Sequence, residues 1–388
     1  MPLSDALTER RMSEKSIVVN TRLLLPGKLD GIGWFTFHTL RLITTKHPEQ
    51  RFVFLFDRPW SEEFVFNNNV TPIALFPQAR HPLLYYWWFE HSVPAALKKH
   101  KAELFLSPDG YLSLNTAVKQ VAVMHDINFE HYPGDLPLLT SLYYRHYFPR
   151  FARKAERLAT VSEFSKSDIV ERYNVKPEKI DVVYNGVNEL YKPLAADRIE
   201  QVRLKHTNGC PYFLFVGMLH RRKNIANLLR AFDTFKSNHD SNVKLLIVGH
   251  RKWWTSEMEE TYKHMSHAQD VVFTGRLPIE ELVEVTASAL ALTYVSYFEG
   301  FGVPIIESMR AGVPVITANV TSMPEVAQDA ALLCDPFSTE SIAESMAAVW
   351  KDPDLRASRI QKGLTRANDF SWNRTADLLW DSLIKARG

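Results

Sequence analysis

The stretch S-Y-F-E-G-F-G-V-P-I-I-E, residues Ser296–Glu307, places two glycines and two glutamates within twelve residues. It follows the apolar run Ala289–Tyr294, which predicts a buried strand, and precedes Ser308–Ala311, which predicts helix. In open α/β sheets, ligands bind beyond the carboxyl ends of the strands. A glycine-containing loop there exposes backbone N–H groups, and the next helix N-terminus adds partial positive charge. The stretch therefore predicts a site for a diphosphate or for sugar hydroxyl groups.

The two carboxylates of this stretch, Glu299 and Glu307, are eight residues apart. Eight residues are about two helical turns, so both would project on one side if the segment were helical throughout. Carboxylates accept hydrogen bonds from hydroxyl groups, as a sugar site requires. The alternative is a plain strand, turn and helix with a solvated glutamate at each end. The residues alone leave both interpretations open.

Short apolar runs before and after this stretch predict the strands of two parallel sheets. Most runs are continuous rather than alternating, which is typical of strands that are buried on both faces. The helix-length segments between them complete βαβ units. The predicted strands of the first series are Ile17–Asn20, Phe52–Asp57, Leu104–Ser107, Val121–His125, Leu158–Ser162 and Ile180–Asn185. Those of the second series are Tyr212–Gly217, Lys244–Gly249, Val271–Thr274, Ala289–Tyr294, Val313–Thr317 and Ala331–Cys334.

The segment Leu190–Pro211 separates the two series and is typical of a linker. Its features are Pro193, a polar helix-like piece at Ala195–His206 and the turn Asn208-Gly209. We therefore predict an α/β fold with two domains, residues 1–193 and residues 194–371. The spacing in the final segment, Ser371–Gly388, predicts one more amphipathic helix. Its apolar face consists of Trp372, Ala376, Leu379 and Leu383.

Composition and charge argue against several classes of protein. The chain has 46 Lys and Arg against 44 Asp and Glu, a net charge of +2, so no global field favours nucleic acid. The two cysteines, Cys210 and Cys334, are too few for a disulfide framework and favour a reducing compartment. The start, MPLSDALTERRMSEK, lacks the apolar region of a signal peptide, and no run of about 18 apolar residues predicts a membrane span. We expect a soluble, cytoplasmic protein.

Several motifs, in order along the chain, resemble those of one enzyme family. The E-x7-E spacing within S-x-x-E-G-F-G resembles the signature of retaining glycosyltransferases of the GT-B fold, and of glycosyltransferase family 4 in particular. Further segments that resemble this family are V-S-E-F-S (Val161–Ser165), N-G-V (Asn185–Val187), F-V-G-M-L-H-R-R-K-N (Phe215–Asn224), A-G-V-P-V-I (Ala311–Ile316), P-E-V (Pro324–Val326) and F-S-W (Phe370–Trp372). The resemblance implies two Rossmann-like domains that face a cleft, with residues 372–388 crossing back to the N-terminal domain. It also implies that the donor binds mainly to the C-terminal domain and the acceptor to the N-terminal one.

The same resemblance implies roles for the residues of the Ser296–Glu307 stretch. Glu299 would bind hydroxyl groups of the donor sugar, and Glu307 would bind the ribose hydroxyls. Gly300, Phe301 and Gly302 would offer backbone N–H groups to the sugar and to the phosphates.

Arg222 and Lys223 lie in the loop between a predicted strand and a predicted helix. A cationic pair there would neutralise the charge that develops on a departing nucleoside diphosphate. The alternative is a solvated helix start, but cations at a helix N-terminus oppose the helix dipole, so an anionic ligand explains them better. Arg221 is the alternative to Arg222 in this role. Some family members have an arginine directly after the glycine of this strand, where this chain has Met218, so the motif alone does not say which arginine takes its place.

Two candidate sites lie in the N-terminal half of the chain. Gly31 and Gly33 allow a ligand to approach the backbone closely. In the family this loop reaches the phosphate and sugar of the donor. The alternative is a plain tight turn.

His125 ends a predicted strand and resembles a family histidine near the transferred sugar. The alternative is a structural histidine. A metal cluster of its neighbours Asn128, Glu130 and His131 is a further alternative, but their spacing lacks convincing ligand partners. Because GT-B enzymes of this kind usually need no metal, we expect neither a metal nor a cofactor besides the nucleotide-sugar.

The stretch Tyr143–Arg157 interleaves aromatic and basic residues. A basic amphipathic helix can lie on an anionic membrane surface, although most such stretches are ordinary surface helices. The run Lys98–Lys101 either adds to such a patch or is simply solvated. Membrane contact would suit an enzyme that is peripheral at the inner face of the membrane and uses lipid-linked acceptors.

We therefore predict a retaining hexosyltransferase that needs no metal. The R-K-N variant of the family motif favours GDP-mannose as the donor, ahead of UDP-glucose or another nucleotide-hexose. A saccharide, such as a growing polysaccharide, or a lipid-linked saccharide is the expected acceptor. No carboxylate is marked as a covalent nucleophile, so a front-face mechanism is the working hypothesis. The alternatives are a sugar-nucleotide epimerase or a phosphorylase on the same fold, and a catalytically silent protein that binds nucleotide-sugars.

Overall fold

The structure is a computed structural model that describes residues 15–388, and the N-terminal segment used above to argue against a signal peptide lies almost entirely outside this range. The contacts divide the chain into two compact units. The N-terminal unit comprises the residues up to Thr160, then Lys166–Val183 and Trp372–Gly388. The C-terminal unit comprises Val161–Ser165 and Tyr184–Ser371. The domain boundary between residues 193 and 194 stays a prediction.

The N-terminal unit contains a parallel sheet of seven strands in the order β3-β2-β1-β4-β5-β6-β7. Its strands are β1 (Ser16–Asn20), β2 (Arg51–Phe56), β3 (Val70–Ala74), β4 (Ala102–Ser107), β5 (Lys119–Val123), β6 (Arg157–Thr160) and β7 (Ile180–Val182). The helices between them are α1 (Gly31–Lys46), α2 (Pro82–Trp87), α3 (Val93–Lys99), α4 (Asn128–His131), α5 (Leu138–Lys154) and α6 (Glu163–Tyr173). The strand order reverses between β1 and β4, and such a reversal opens a crevice at the carboxyl ends of the strands.

The C-terminal unit contains a parallel sheet of six strands in the order β10-β9-β8-β11-β12-β13. Its strands are β8 (Tyr212–Val216), β9 (Lys244–Val248), β10 (Val271–Gly275), β11 (Ala291–Tyr294), β12 (Val315–Ala318) and β13 (Ala331–Cys334). Its helices are α7 (Ala196–Thr207), α8 (Ile225–Asn238), α9 (Ser256–Lys263), α10 (Ile279–Ala287), α11 (Val303–Arg310), α12 (Met323–Ala327), α13 (Thr339–Lys351) and α14 (Pro353–Ala367). Here the order reverses between β8 and β11.

The prediction of two Rossmann-like α/β units is confirmed, and each of the twelve predicted strands overlaps an observed one. The strands are continuous apolar runs because helices cover both faces: every residue of β1 and of β11 is buried. The sequence analysis missed β3, whose sequence V-T-P-I-A contains Pro72. Proline cannot donate to a β-ladder, and β3 accordingly lies at the edge of its sheet.

The last helix, α15 (Trp372–Arg387), belongs to the N-terminal unit, as the resemblance implied. Three of the four residues predicted for its apolar face, Ala376, Leu379 and Leu383, are buried. The fourth, Trp372, stacks on His38 of α1 with ring centroids 4.6 Å apart. The C-terminal segment thus completes the core of a sheet that begins more than 350 residues earlier.

Within residues 15–388, no helix is both long enough and apolar enough to cross a membrane.

Candidate functional site

The candidate site lies at the carboxyl ends of β8 and β11, where the order of the C-terminal sheet reverses. The loop after β8 forms a single 3₁₀ turn, Arg221–Lys223, before α8 begins. The loop after β11 carries Glu299 and leads into α11. Reversal points of this kind are where parallel α/β sheets bind ligands.

Arg222, Lys223 and Glu299 form one buried ion-pair cluster. Lys223 Nζ donates to Glu299 Oε1 at 2.5 Å, and Arg222 Nη1 donates to Glu299 Oε2 at 2.8 Å. Arg222 Nη1 also donates to the carbonyl oxygen of Phe298 at 2.7 Å. The Tyr294 hydroxyl accepts from Lys223 Nζ at 2.5 Å and donates to Glu299 Oε1 at 3.0 Å. Glu299 is only 6% exposed, so these protein groups replace the water that would otherwise solvate its charge.

The electrostatics of the cluster follow from this geometry. Burial alone would raise the pKa of Glu299, but the charges of Arg222 and Lys223 outweigh burial and lower the pKa to about 2. Glu299 is therefore a carboxylate at neutral pH. Two cations and one carboxylate leave these three side chains with one net positive charge, which suits an anionic ligand.

The structure distinguishes the two neighbouring arginines. Arg222 is half-buried and bonded to Glu299, whereas Arg221 is exposed. Asn224, which the sequence analysis did not select, ties the two loops together: its side-chain amide donates to the carbonyl oxygens of Val295 at 3.0 Å and of Pro336 at 2.7 Å. It follows that the loop after β8 is fastened to the loop after β11 by Asn224 as well as by the ion pairs.

Glu307 does not lie on the same element as Glu299. The segment between them is not helical throughout, because α11 begins only at Val303. Gly302 caps this helix with φ +93°, and a Cβ there would lie 2.9 Å from Cδ1 of Ile305, so glycine is required at the break. Burial raises the pKa of Glu307 to about 7, and a hydrogen bond with Tyr191 acts in the opposite direction. Glu307 therefore contacts Tyr191, while Glu299 contacts the cations.

The loop between the two glutamates accepts hydrogen bonds from the segment Val161–Ser165, which belongs to the C-terminal unit. Ser162 Oγ donates to the carbonyl oxygen of Gly300 at 2.7 Å, and Ser165 Oγ does so at 3.3 Å. The Phe301 side chain is buried against Phe370, with ring centroids 5.5 Å apart. The Phe301 side chain and the Gly300 carbonyl therefore make structural contacts, and the role of the backbone N–H groups in binding a ligand stays a prediction.

The Glu325 carboxylate of the P-E-V motif accepts from the backbone N–H groups of Glu163 at 2.8 Å and Phe164 at 3.0 Å, and from the Tyr184 hydroxyl at 2.8 Å. Three motifs that were separate in the sequence, around Val161, Gly300 and Glu325, are thus one connected structure.

The N-terminal candidates lie in the other unit. Asp30 caps α1 by accepting from the backbone N–H of Gly33 at 2.9 Å, so the glycine segment is a helix start rather than an isolated turn. A Cβ at Gly33 would lie 3.1 Å from Leu29 Cδ2 and 3.2 Å from the Leu23 carbonyl oxygen, whereas a Cβ at Gly31 would have nothing within 4 Å. Tight packing therefore explains Gly33 but not Gly31.

His125 follows β5, and its Nε2 lies 2.9 Å from the carbonyl oxygen of Pro108. Its ring packs edge-on against Phe35, with centroids 4.9 Å apart. Burial lowers the pKa of His125 below its usual value, so the ring is neutral at pH 7. These contacts hold the ring in place. A structural histidine and a functional histidine would both need such contacts, so the role of His125 stays a prediction.

The sequence analysis missed a polar network at the reversal point of the N-terminal sheet. Arg22 Nε donates to Asp109 Oδ2 at 2.7 Å, and Asn20 donates to Asp109 Oδ1 at 2.8 Å and to Ser107 Oγ at 3.0 Å. The Arg22 guanidinium lies 4.4 Å from the ring centroid of Tyr111. Polar residues directly after two apolar runs, at the ends of β1 and β4, were the signal that could have revealed this network.

In the part of the chain that the structure describes, no group of three or more His, Cys, Asp or Glu side chains is arranged to hold a metal ion. Two polar neighbours of His125 have other partners: His131 Nε2 lies 2.8 Å from Asp168 Oδ1, and Glu130 accepts from the Tyr173 hydroxyl at 3.1 Å. Metal independence stays a prediction.

Family models match most of the chain. The model described as Glycosyl transferases group 1 matches residues 197–366, and the model described as Glycosyltransferase Family 4 matches residues 35–189. A relative named O-antigen chain mannosyltransferase B, from Escherichia coli, is 30% identical over 71% of this chain and 73% of its own length. The O-antigen chain mannosyltransferase RfbU of Salmonella typhimurium is 28% identical over 65% of this chain and 64% of its own length.

Solved structures share the whole architecture at low sequence identity. A sucrose-phosphate synthase from Thermosynechococcus elongatus aligns with a TM-score of 0.76 at 18% identity, covering 95% of this chain and 99% of its own. Anabaena HepE in complex with UDP-glucose aligns with a TM-score of 0.74 at 16% identity, again covering 95% and 99%. Together with the two sheets and the returning helix, these likenesses establish that the chain has the GT-B fold and belongs to the family 4 glycosyltransferases.

Proposed function

We propose that the protein transfers a mannosyl residue from GDP-mannose to a saccharide or lipid-linked saccharide, with retention at the anomeric carbon and without a metal ion. The observation that carries the proposal is the cluster of Arg222, Lys223 and Glu299 at the reversal point of the C-terminal sheet. Family membership supports glycosyl transfer, and two relatives named O-antigen mannosyltransferases support the sugar and a polysaccharide acceptor.

The cationic side of the cluster would hold the diphosphate. Glu299 positions Arg222 and Lys223, so little reorganisation of these cations would be needed when negative charge develops on the leaving group. The backbone N–H groups at the start of α11 add partial positive charge near the carboxyl ends of the same strands. This arrangement would stabilise a departing nucleoside diphosphate with protein charges alone.

The two carboxylates would bind different parts of the donor. Each carboxylate oxygen has two lone pairs. Oε1 of Glu299 accepts from Lys223 and Tyr294. Oε2 accepts from Arg222, so a hexose hydroxyl would donate to Oε2. Glu307, on α11 beside Tyr191, is proposed to accept from the ribose hydroxyls. Because its pKa is about 7, Glu307 can change protonation state near neutral pH.

Retention is proposed to follow a front-face path, in which a diphosphate oxygen helps to deprotonate the acceptor as the glycosidic bond to the nucleotide breaks. Arg222 and Lys223 would hold the leaving group during this step. For Gly31 and Gly33, family resemblance supports a role near the phosphate and sugar of the donor, and for His125 a role near the transferred sugar. The neutral His125 ring would contribute a hydrogen bond rather than a charge.

A nucleotide-sugar screen tests the donor. GDP-mannose and GDP should raise the melting temperature because a ligand that binds only the folded state stabilises it, by about 2.7 kcal/mol at a concentration one hundred times its Kd. UDP-glucose, UDP and ADP-glucose are the comparison ligands. If UDP-glucose but not GDP-mannose raises the melting temperature, the proposal of GDP-mannose as the donor is wrong, while the proposal of glycosyl transfer still holds.

Product stereochemistry tests retention. The enzyme is given a mannoside acceptor, and the anomeric configuration of the new glycosidic linkage in the product is determined by NMR. GDP-mannose carries an α-linked sugar, so an α-mannosidic product supports retention and a β-mannosidic product overturns it. Lys223→Ala is the matched control, since loss of that cation should weaken stabilisation by GDP and slow the formation of product by roughly 10²–10³-fold.

A further inference from the structure

Six large apolar side chains are exposed on two helices of the N-terminal unit. Those on α2 are Leu83, Tyr86 and Trp87, and those on α5 are Leu138, Leu139 and Leu142. Leu83, Leu138 and Leu139 are each more than 70% exposed. Single exposed apolar residues are ordinary on protein surfaces, but groups of them mark sites of interaction.

The two helices pack against each other, so these side chains belong to one surface. The rings of Tyr85 and Tyr143 lie 5.7 Å apart, and those of Tyr86 and Tyr147 lie 6.4 Å apart. The core is built by the opposite face of α5, where Phe148 and Phe151 are buried. The exposed leucines are therefore not needed to complete this core.

The same surface is basic although the whole chain is nearly neutral. The sequence of α5 contains four Lys and Arg and no Asp or Glu. Within Arg80–Lys99 there is one carboxylate, Glu90, which is buried and accepts from the backbone N–H of Leu114 at 2.9 Å. Arg145 pairs with Glu130 of α4 at 3.4 Å, while Arg150 and Lys154 lie exposed about one and a half and two and a half turns further along α5.

Apolar and basic residues share one side of α5. Residues three or four positions apart lie on the same face of a helix. The exposed side of α5 contains two such series: Leu138, Leu142 and Arg145, and Leu142, His146 and Arg150. The apolar half lies at the N-terminal end of the helix and the cationic half at the C-terminal end. A lipid bilayer offers the matching pair of environments, an acyl boundary beside anionic headgroups.

We propose that α2 and the outward face of α5 form a docking surface for an anionic lipid bilayer. The leucines enter the boundary between headgroups and acyl chains, Tyr86 and Trp87 lie at the interface where amphipathic rings are favoured, and Arg150 and Lys154 contact anionic headgroups. The contact is peripheral and does not depend on the proposed donor. It would hold the enzyme where a lipid-linked acceptor is found.

Vesicle flotation without any nucleotide-sugar tests this surface. We expect the full chain to float with vesicles of phosphatidylcholine and phosphatidylglycerol, to bind vesicles of phosphatidylcholine alone much less, and to be released progressively by added salt because exposed charges are screened. The double variant Leu139→Gln/Leu142→Gln should lose at least about tenfold in partitioning, since two large apolar side chains leave the interface. Arg150→Gln/Lys154→Gln should lose the preference for anionic vesicles.

Matched controls change similar residues in the C-terminal unit. Leu204→Gln on α7 removes an exposed leucine, and Lys192→Gln/Lys351→Gln removes two exposed lysines; neither should alter partitioning. Circular dichroism and melting temperature establish that each variant is folded. The proposal is overturned if the wild-type chain does not bind anionic vesicles, or if both surface variants bind as the wild type does. It is equally overturned if Leu139→Gln/Leu142→Gln converts a dimer to a monomer while vesicle binding is absent, because the surface would then join two copies of the chain.

Discussion

Glu299→Gln keeps the shape of the side chain but removes the charge that holds Arg222 and Lys223. The pKa of about 2, against a usual value of 4.5, means that the folded protein favours the charged form. Each pKa unit corresponds to about 1.4 kcal/mol, so the loss of this charge should lower the free energy of unfolding by about 3 kcal/mol at neutral pH. Loss of the carboxylate would also leave two partly buried cations without their partner, which likewise lowers the free energy of unfolding.

The pH dependence of this loss has a definite sign. The folded pKa of Glu299 lies below the unfolded one, so its stabilisation is fully present above about pH 4.5 and is lost as the pH falls toward 2. The melting temperatures of wild type and Glu299→Gln should therefore differ by a constant amount near neutral pH and converge in acid. For a unit of roughly 150–250 residues, about 3 kcal/mol corresponds to a drop of roughly 6–12 °C.

The same substitution should separate nucleotide binding from turnover. Without the carboxylate, Lys223 and Arg222 no longer share their charge with Glu299, so GDP should bind at least as tightly as to wild type and up to roughly tenfold more tightly. Turnover of GDP-mannose should fall roughly ten- to a hundredfold, because the hexose loses a charged acceptor. Titration calorimetry with GDP and steady-state transfer measure the two effects, with exposed Glu344→Gln as the control. An unchanged melting temperature, or a loss of GDP affinity as large as that of Lys223→Ala, would refute the reasoning.

Three further predictions concern the same site. Lys223→Ala should lower kcat by roughly 10²–10³-fold at saturating donor while circular dichroism stays that of the folded protein, as expected for one electrostatic stabiliser of the leaving group; wild-type turnover would remove Lys223 from the mechanism. Glu307→Gln should weaken GDP by roughly 1.5–3 kcal/mol in calorimetry. Because the pKa of Glu307 is about 7, wild-type affinity should rise between about pH 6 and pH 8 more than that of the variant, whereas identical affinities would exclude the ribose role. EDTA should leave transfer unchanged, and activity that EDTA stops and Mg²⁺ or Mn²⁺ restores would contradict metal independence.

The fold was largely predictable because its strands are buried on both faces. Such strands appear in the sequence as continuous apolar runs, which can be read without knowledge of the fold. The edge strand β3 escaped because Pro72 and half-buried positions remove that signal. The pairing of α15 with the N-terminal unit followed from family resemblance, since an apolar helical face does not say which sheet it covers.

The candidate site was predictable in its parts but not in its connections. The motifs indicated Arg222, Lys223 and Glu299, but the ion pairs join residues more than 70 positions apart. The choice between Arg221 and Arg222 depends on a single 3₁₀ turn, in which neighbouring side chains point about 120° apart. The sequence left open whether the segment from Glu299 to Glu307 is helical throughout; it is not, because the loop continues to Gly302, with its positive φ, and α11 begins only at Val303. Tyr294 and Asn224 were missed because their roles arise only when two loops meet.

The position of α15 sets the order in which the protein can be completed on the ribosome. The face of α1 that packs on α15 includes Phe35, and His47 at its end stacks on Trp380 with centroids 3.7 Å apart. Domains usually fold as they emerge, N-terminal first. Here the first unit lacks its closing helix until all of Tyr184–Ser371 has been made, a delay of roughly 10–40 s at about 5–20 residues per second. During that interval the uncovered face of α1 is open to chaperones, and a truncation that removes the last helix would damage the N-terminal sheet rather than the unit that precedes it in the chain.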